Sequence, residues 1–255
     1  MKKETLLMNR YYFICLFLFI FACDSENAGD CFQKTGSIIK EEVVLEAFNK
    51  ILVNRDIELV IKQGGTQEVI LETGQNLRND VSVEVVDGQL ILTDNNTCNF
   101  VRDYGITKVY VTSPNITEIR SSTQYDISSN GVLTYPNLVL LSESFGAPDT
   151  FTVGDFKLQI NNNFLGITFN NLSSCFVSGE TTNVNINFAS GNGRFEGENL
   201  IVQNATIFHR GSNNMIINPQ QSIKGKVVST GDVILKTTPP IIEVETLYKG
   251  RVIFD

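Results

Sequence analysis

The sequence predicts an all-β protein: a repetitive β-solenoid body behind a short N-terminal leader. Three observations carry this. Beyond residue 38 almost every apolar stretch alternates with period two and is rich in Val, Ile and Phe, the pattern of half-buried strands. Short clusters of Asp, Asn and Gly separate these stretches, residues that tolerate positive φ or bond their own backbone. In the second half, strand centres near Ile119, Leu140, Ile160, Ile186, Val202, Val227 and Val244 recur with a mean step of about 21 residues and individual steps of roughly 16 to 26.

The leader comes first. Lys2, Lys3 and Arg10 precede an apolar run from residue 11 to 21, which ends in Ala22-Cys23. A small residue directly before cysteine lets a signal peptidase cut there once the thiol is acylated. Residues 1–22 are therefore expected to be a lipoprotein signal peptide and Cys23 the lipidated residue. That places the protein at the outer membrane, on its cell surface or periplasmic face. The competing readings are an ordinary secretory signal and a membrane span. A run of roughly eleven residues is too short for a span, which takes about 20. No basic stop-transfer flank follows either, because Asp24 and Glu26 come next. Phe21 is bulkier than the residue usual at that place, and Cys15, with no small residue before it, reads as a passive apolar residue. Residues 23–38 then read as a lipidated acidic tether, polar and apolar-poor over residues 24–30.

The body divides into an N-terminal β region, residues 39–115, and a repetitive part, residues 116–255. In order, Ile57-Glu58-Leu59-Val60-Ile61, Val81-Ser82-Val83-Glu84-Val85, Leu90-Ile91-Leu92, Lys108-Val109-Tyr110-Val111, Val184-Asn185-Ile186-Asn187-Phe188 and Arg251-Val252-Ile253-Phe254 read as strands. Asp87-Gly88, Asn130-Gly131, Gly191-Asn192-Gly193, Gly211-Ser212-Asn213-Asn214 and Thr230-Gly231-Asp232 read as turns. The one window with helical character, residues 41–50, contains Val43-Val44 and runs straight into a strand pattern, so it too is expected to be extended.

In the second half a coil of about 21 residues cannot bury its own apolar face, but stacked coils enclose one continuous core. Phe156, Phe164, Phe169, Phe176, Phe188 and Phe195 are expected to stack inside it, and Asn161, Asn162, Asn163, Asn170, Asn171, Asn185, Asn187, Asn204 and Asn213 to form side-chain ladders. An antiparallel sandwich is the alternative, disfavoured because tight hairpin signals are few. Of the three cysteines left after Cys23, Cys31 and Cys98 sit in polar, turn-like settings and are the candidate disulfide, whereas Cys175, beside Phe176-Val177, reads as a buried free thiol.

These stretches bring out a family resemblance. Asp30-Cys31-Phe32, the run Cys98-Asn99-Phe100-Val101-Arg102-Asp103-Tyr104-Gly105, Lys108-Val109-Tyr110-Val111-Thr112-Ser113-Pro114, and the turns Ser190-Gly191-Asn192-Gly193 and Ser229-Thr230-Gly231-Asp232-Val233 resemble the head GIN domain family of autotransporter adhesins found among Bacteroidetes lipoproteins. Arg194, in place of an aspartate, and Thr230, in place of a glycine, depart from its turns. The resemblance spans most of the chain from residue 39. It implies a right-handed parallel β-helix, often in two lobes, and an adhesive role, with no catalytic residues to carry over.

The formal net charge of −8, with basic residues scattered rather than clustered, argues against nucleic acid as a partner. A lone histidine and the absence of Cys-x-x-Cys spacing leave no histidine metal cage, and no nucleophile elbow accompanies His209. No cofactor or metal is expected. One constellation stands out: Arg194, Glu196, His209 and Arg210, with the two arginines about one short coil apart, are the candidates for a shared surface that binds a sugar or anion, set against a plain solvated face, which needs charged residues anyway. A polysaccharide-lyase-like use of the same residues is the catalytic alternative, and a purely structural envelope role the third. The expected function is a non-catalytic, lipid-anchored module that meets a glycan or protein through its Asn/Thr/Ser face.

Overall fold

A computed structural model describes residues 29–96 and 98–255. The expected leader and the expected lipidation site at Cys23 lie outside these residues. The described chain is all-β, with seventeen strands joined in one curled sheet. In chain order they are β1 (Ile38–Glu42), β2 (Lys50–Val53), β3 (Ile57–Gln63), β4 (Glu68–Gly74), β5 (Val81–Val86), β6 (Gln89–Asp94), β7 (Thr107–Ser113), β8 (Glu118–Ser121), β9 (Ile127–Leu133), β10 (Asn137–Ser142), β11 (Phe156–Phe169), β12 (Cys175–Phe188), β13 (Phe195–His209), β14 (Met215–Val227), β15 (Val233–Leu235), β16 (Ile241–Thr246) and β17 (Val252–Phe254). Residues 41–50 hold no helix; they connect β1 to β2 in extended form.

The long strands β11 to β14 pair in parallel with their neighbours, residues facing partners 18 to 21 positions further along, as the Asn161–Glu180, Asn183–Asn204 and Asn204–Ser222 contacts show, except that Ile201–Asn218 and Val202–Pro219, between two bulges, step by 17. Bulges between Phe176 and Gly179 and between Gly197 and Ile201 break the ladders at mid-strand. One strand thereby serves two sides. The first half of β11 pairs with β9 and the second with β10, and the first half of β14 pairs with β15 and the second with β16.

Parallel pairing extends into the N-terminal region. There β2 lies between β6 and β8, and β3 between β7 and β9, so an earlier stretch of chain is inserted between later ones. Chain order is therefore not spatial order before residue 116, which is why the regular step appears only in the second half of the sequence. Antiparallel pairs β1–β4, β4–β7 and β5–β6 finish that end. Asp87 and Gly88, at φ 50° and 73°, form the tight β5–β6 turn; two positive φ values match the twist of a hairpin.

A single apolar core runs through the whole stack, from Ile51 and Leu59 to Val233 and Leu235. Within it, Phe156, Phe169 and Phe188 stack at centroid distances of 5.3 and 5.5 Å, and Phe188 meets the His209 ring edge-on at 6.0 Å. Each fully buried ring contributes roughly 1.5–3 kcal/mol by burial. Phe195 is buried beside Cys175 and outside this column, and two of the six expected core phenylalanines are not in the core at all. Phe176 follows the inward Cys175 and points outward by strand alternation, and Phe164 is half-buried on an outer face.

Cys31 and Cys98 are bonded, with Cα atoms 4.4 Å apart, and Cys175 is a buried free thiol. The bond fastens the short 3-10 turn Asp30–Phe32 to the β6–β7 connection. Arg102 reinforces it by donating to the carbonyls of Asp30, Gln33 and Cys98 at 2.5, 3.2 and 2.9 Å. Gln33 is buried and donates to the Asn76 carbonyl at 2.7 Å. Attachment to the body thus begins near Cys31, earlier than the tether boundary at residue 38 drawn from composition.

Candidate functional site

The four residues singled out from sequence do not form one site. Arg194 immediately precedes β13 and Arg210 immediately follows it. Because the register step is 18 to 21 residues rather than 16, Arg194 lies beside Asn214 of the next strand layer and Arg210 beside Ala189 of the previous one. Arg194 is paired with Glu196, which lines one hollow of the surface together with Lys157 and Phe176; Arg210 lines a different groove. His209 is on neither surface. It occupies the inward position facing Phe188 and Val227, fully buried, and its Nε2–H donates to the Asn213 carbonyl at 2.9 Å. Nδ1 has no partner, so the ring is held neutral, and burial pushes its pKa below the ordinary value despite this hydrogen bond and the nearby Asp232. His209 is a core residue, unavailable to a ligand.

What the structure does assemble is the outer face of the second halves of β10 to β14 and β16. Matched register makes rows across the strands: Gly166, Asn185, Thr206, Lys224 and Glu243 in one, and Thr168, Asn187, Phe208, Lys226 and Glu245 in the next. A third row holds Phe164, Asn183, Asn204 and Ser222. In this third row the amides serve the protein itself: Asn204 Nδ2 donates to Asn183 Oδ1 at 3.4 Å, Ser222 Oγ donates to Asn204 Oδ1 at 2.9 Å, and Asn183 Nδ2 donates to the Asn163 carbonyl at 3.5 Å. An asparagine ladder exists here, formed by Asn204, which was expected in one, with Asn183, which was not.

The first two rows differ. Gly166 and Asn185 of the first row and Thr168, Asn187 and Phe208 of the second, together with Phe164, Val139 and Arg210, line a groove of about 610 Å³. Gly166 forms its floor; a side chain there would crowd against Phe164 and Val139. Asn185, Asn187 and Arg210 have no intrachain side-chain hydrogen bond or ion pair among the described residues. Phe208, 38% exposed, and Phe164 present rings at opposite corners, roughly 16 Å apart from the strand spacing and rise. The Lys224–Glu243 and Lys226–Glu245 pairs, each at 3.0 Å, border the face and are exposed enough to be worth about 0–1 kcal/mol apiece. Chemically, the groove offers two apolar ring surfaces, two free amides and a cation on a rigid sheet. Sequence reasoning grouped Arg210 with Arg194, Glu196 and His209 and not with these strands, expected Phe164 inside the core, and did not single out Phe208. The position of these two rings beside the alternating Asn185 and Asn187 is the signal that outward aromatics accompany the amides.

A second concave region lies near the disulfide. Asp94, held up in pKa by burial, accepts from Thr107 Oγ1 at 2.7 Å and from the Asn96 amide at 2.9 Å, and shares its cleft with Asp56 and Asp149. Among the described residues no group of three or more His, Cys, Asp or Glu is arranged to hold a metal, and no helix is long and apolar enough to cross a membrane.

Residues 47–239 match the family described as "Putative auto-transporter adhesin, head GIN domain". No curated protein is significantly similar to the chain. Among solved structures, a putative adhesin from Bacteroides fragilis superposes with TM-score 0.76 at 19% identity, covering 87% of this chain and 99% of that one. A putative lipid binding protein from Parabacteroides distasonis gives TM-score 0.58 at 14% identity, with 86% and 97% coverage. A putative adhesin from Parabacteroides merdae gives 0.53 at 18%, with 87% and 98% coverage. At these identities the likeness is one of fold.

Proposed function

Because the chain belongs to the head GIN domain family, we propose that it is a lipid-anchored, non-catalytic envelope module that binds a glycan through the groove of Phe164, Asn185, Asn187, Phe208 and Arg210. The observation that carries this is the contrast between adjacent rows: one row of amides bonds to itself, while Asn185 and Asn187 beside it are left unengaged between the exposed Phe208 ring and the half-buried Phe164 ring. A sugar ring pairs an apolar face with hydroxyls that donate and accept. Aromatic surfaces with amides, which also do both, are its chemical complement. In-register strands hold these groups rigid, so little ordering is needed on binding. The same ladders support reading the body as a right-handed parallel β-helix in two lobes, with one layer every 18 to 21 residues.

The anchoring part rests on Ala22-Cys23 after the apolar run. Cys23→Ser should move the protein out of the membrane fraction; continued sedimentation would defeat the anchor. Protease shaving of intact cells separates an outward-facing body from a periplasmic one.

Glycan-array binding that is lost in the Phe208→Ala and Asn185→Ala/Asn187→Ala variants is the expected result. Array binding unchanged by all of these would remove the groove from the proposal. A protein ligand would show as saturable capture sensitive to the same variants but no array signal. Ultraviolet-absorbing products from acidic polysaccharides would instead favour a lyase, and no saturable ligand of any kind a structural role.

A further inference from the structure

The disulfide gathers exposed apolar side chains that the core does not use. Phe32 and Phe100 meet edge-on at 5.7 Å across the Cys31–Cys98 bond, with the Phe100 amide donating to the Cys31 carbonyl at 2.9 Å. Phe100 and Tyr104 are 73% and 75% exposed, and Val101 between them is half exposed. The loop that carries them is braced: Asn99 Oδ1 accepts from the amides of Val101 and Arg102 at 3.2 and 2.9 Å, and Arg102 holds three carbonyls. An isolated exposed phenylalanine needs no explanation, but four apolar side chains on a cross-linked, hydrogen-bonded knot form a built surface.

The length of chain in front of the knot says what it faces. Eight peptide steps separate Cys23 from Cys31. Fully extended they span at most roughly 26–29 Å, so a body whose Cys23 carries acyl chains cannot hold Cys31 further than that from the headgroups. Tyr and other aromatics with one polar end favour the membrane–water interface.

We propose that the knot of Phe32, Phe100, Val101 and Tyr104 sits in the interfacial layer of the membrane that holds the acyl chains of Cys23. The body then stands on the bilayer through two contacts rather than swinging on its tether. This rests on the anchored reading above. It also orients the molecule: β17, eight strand steps from β7 across the sheet, stands roughly 38 Å away from the lipid, and the groove lies on the wall between. Asp30 and Asp103 flank the knot, which suits a zwitterionic surface rather than an anionic one.

The chain contains no tryptophan, so Phe100→Trp introduces a single reporter. The full-length lipidated protein is reconstituted in phosphatidylcholine vesicles with brominated acyl chains, and acylation of Cys23 is checked by intact mass. Phe100→Trp should be blue-shifted and lose most of its emission to the bromines, while Phe254→Trp on β17 keeps water-like, unquenched emission. Tyr104→Trp repeats the measurement should the first variant fail to fold. Unquenched emission at both 100 and 104 in acylated protein overturns the proposal and leaves the anchor standing, as does equal quenching at 254. A blue shift that grows with protein concentration without quenching would make the knot a contact with a second copy, and also overturns it. Unmodified Cys23 removes anchor and proposal together.

Discussion

The single histidine makes a sharp test of the core. His209 is fully buried against Phe188, with Nε2–H on the Asn213 carbonyl and Nδ1 unpartnered. Protonation would place a donor with no acceptor, and a charge, in an aromatic column; the missing partner alone costs about 1–3 kcal/mol. Burial accordingly holds the folded pKa below the ordinary value of 6.5. The sign follows. Above that value both states are neutral and stability is complete; as pH falls through it the unfolded chain takes up a proton that the native state refuses, and stability is lost down to the lower folded pKa. One proton limits the slope to about 1.4 kcal/mol per pH unit. Asp94 and Asp155, raised by burial, act with the opposite sign; the window for His209 is the unit either side of an ordinary imidazole, about pH 7.5 to 5.5. Urea midpoints should fall across that window in the native sequence, and the fall should disappear in His209→Phe whatever its absolute stability. NMR titration of the only imidazole reads the pKa directly. An imidazole titrating at or above about 6.5, or an unchanged slope in His209→Phe, would refute the reasoning.

Other expectations concern the scaffold. Opening the 67-residue separation closed by Cys31–Cys98, with a Cys31→Ser/Cys98→Ser variant, should cost about 4 kcal/mol in the chain-entropy treatment, read as a drop in urea midpoint under non-reducing conditions; a loss under about 1 kcal/mol would mean that the Arg102 contacts alone hold the knot. Phe188→Ala, which empties the middle of the stacked column, should destabilise by about 3–5 kcal/mol by calorimetry or denaturant titration. Gly225 sits at φ 133° with the Ile207 carbonyl oxygen where a Cβ would go, so Gly225→Ala should lower Tm sharply, whereas a value within a degree or two of the parent would show that the bend relaxes easily. Cys175 is fully buried, and burial pushes its thiol pKa up; alkylation should proceed at the rate of unfolding, and rapid labelling of native protein would contradict that packing.

Much of this fold was legible in the sequence because strand alternation is local. Ile57 to Ile61 and Lys108 to Val111 announce strands by period two alone, and Asp87-Gly88 announces its turn by the φ values that it tolerates. The Cys31–Cys98 pairing was legible as the two cysteines in polar turns. The constellation of Arg194, Glu196, His209 and Arg210 was misjudged for one reason: a spacing of 16 was taken as a coil, while the register steps by 18 to 21. An error of a few residues sends a side chain to another row, and an error of one sends it to the opposite face.

By itself, then, the sequence determined what depends on near neighbours: all-β character, the turn positions, the in–out alternation and the buried state of Cys175. Tertiary structure alone decided what depends on register between distant strands. It inserted β2 and β3 between later strands, took His209 into the core, and laid Phe208 between Asn187 and Lys226. The physical reason is that backbone hydrogen bonding between parallel strands is indifferent to side-chain identity, so residues some 20 positions apart are set side by side by packing and bulges that no local pattern encodes.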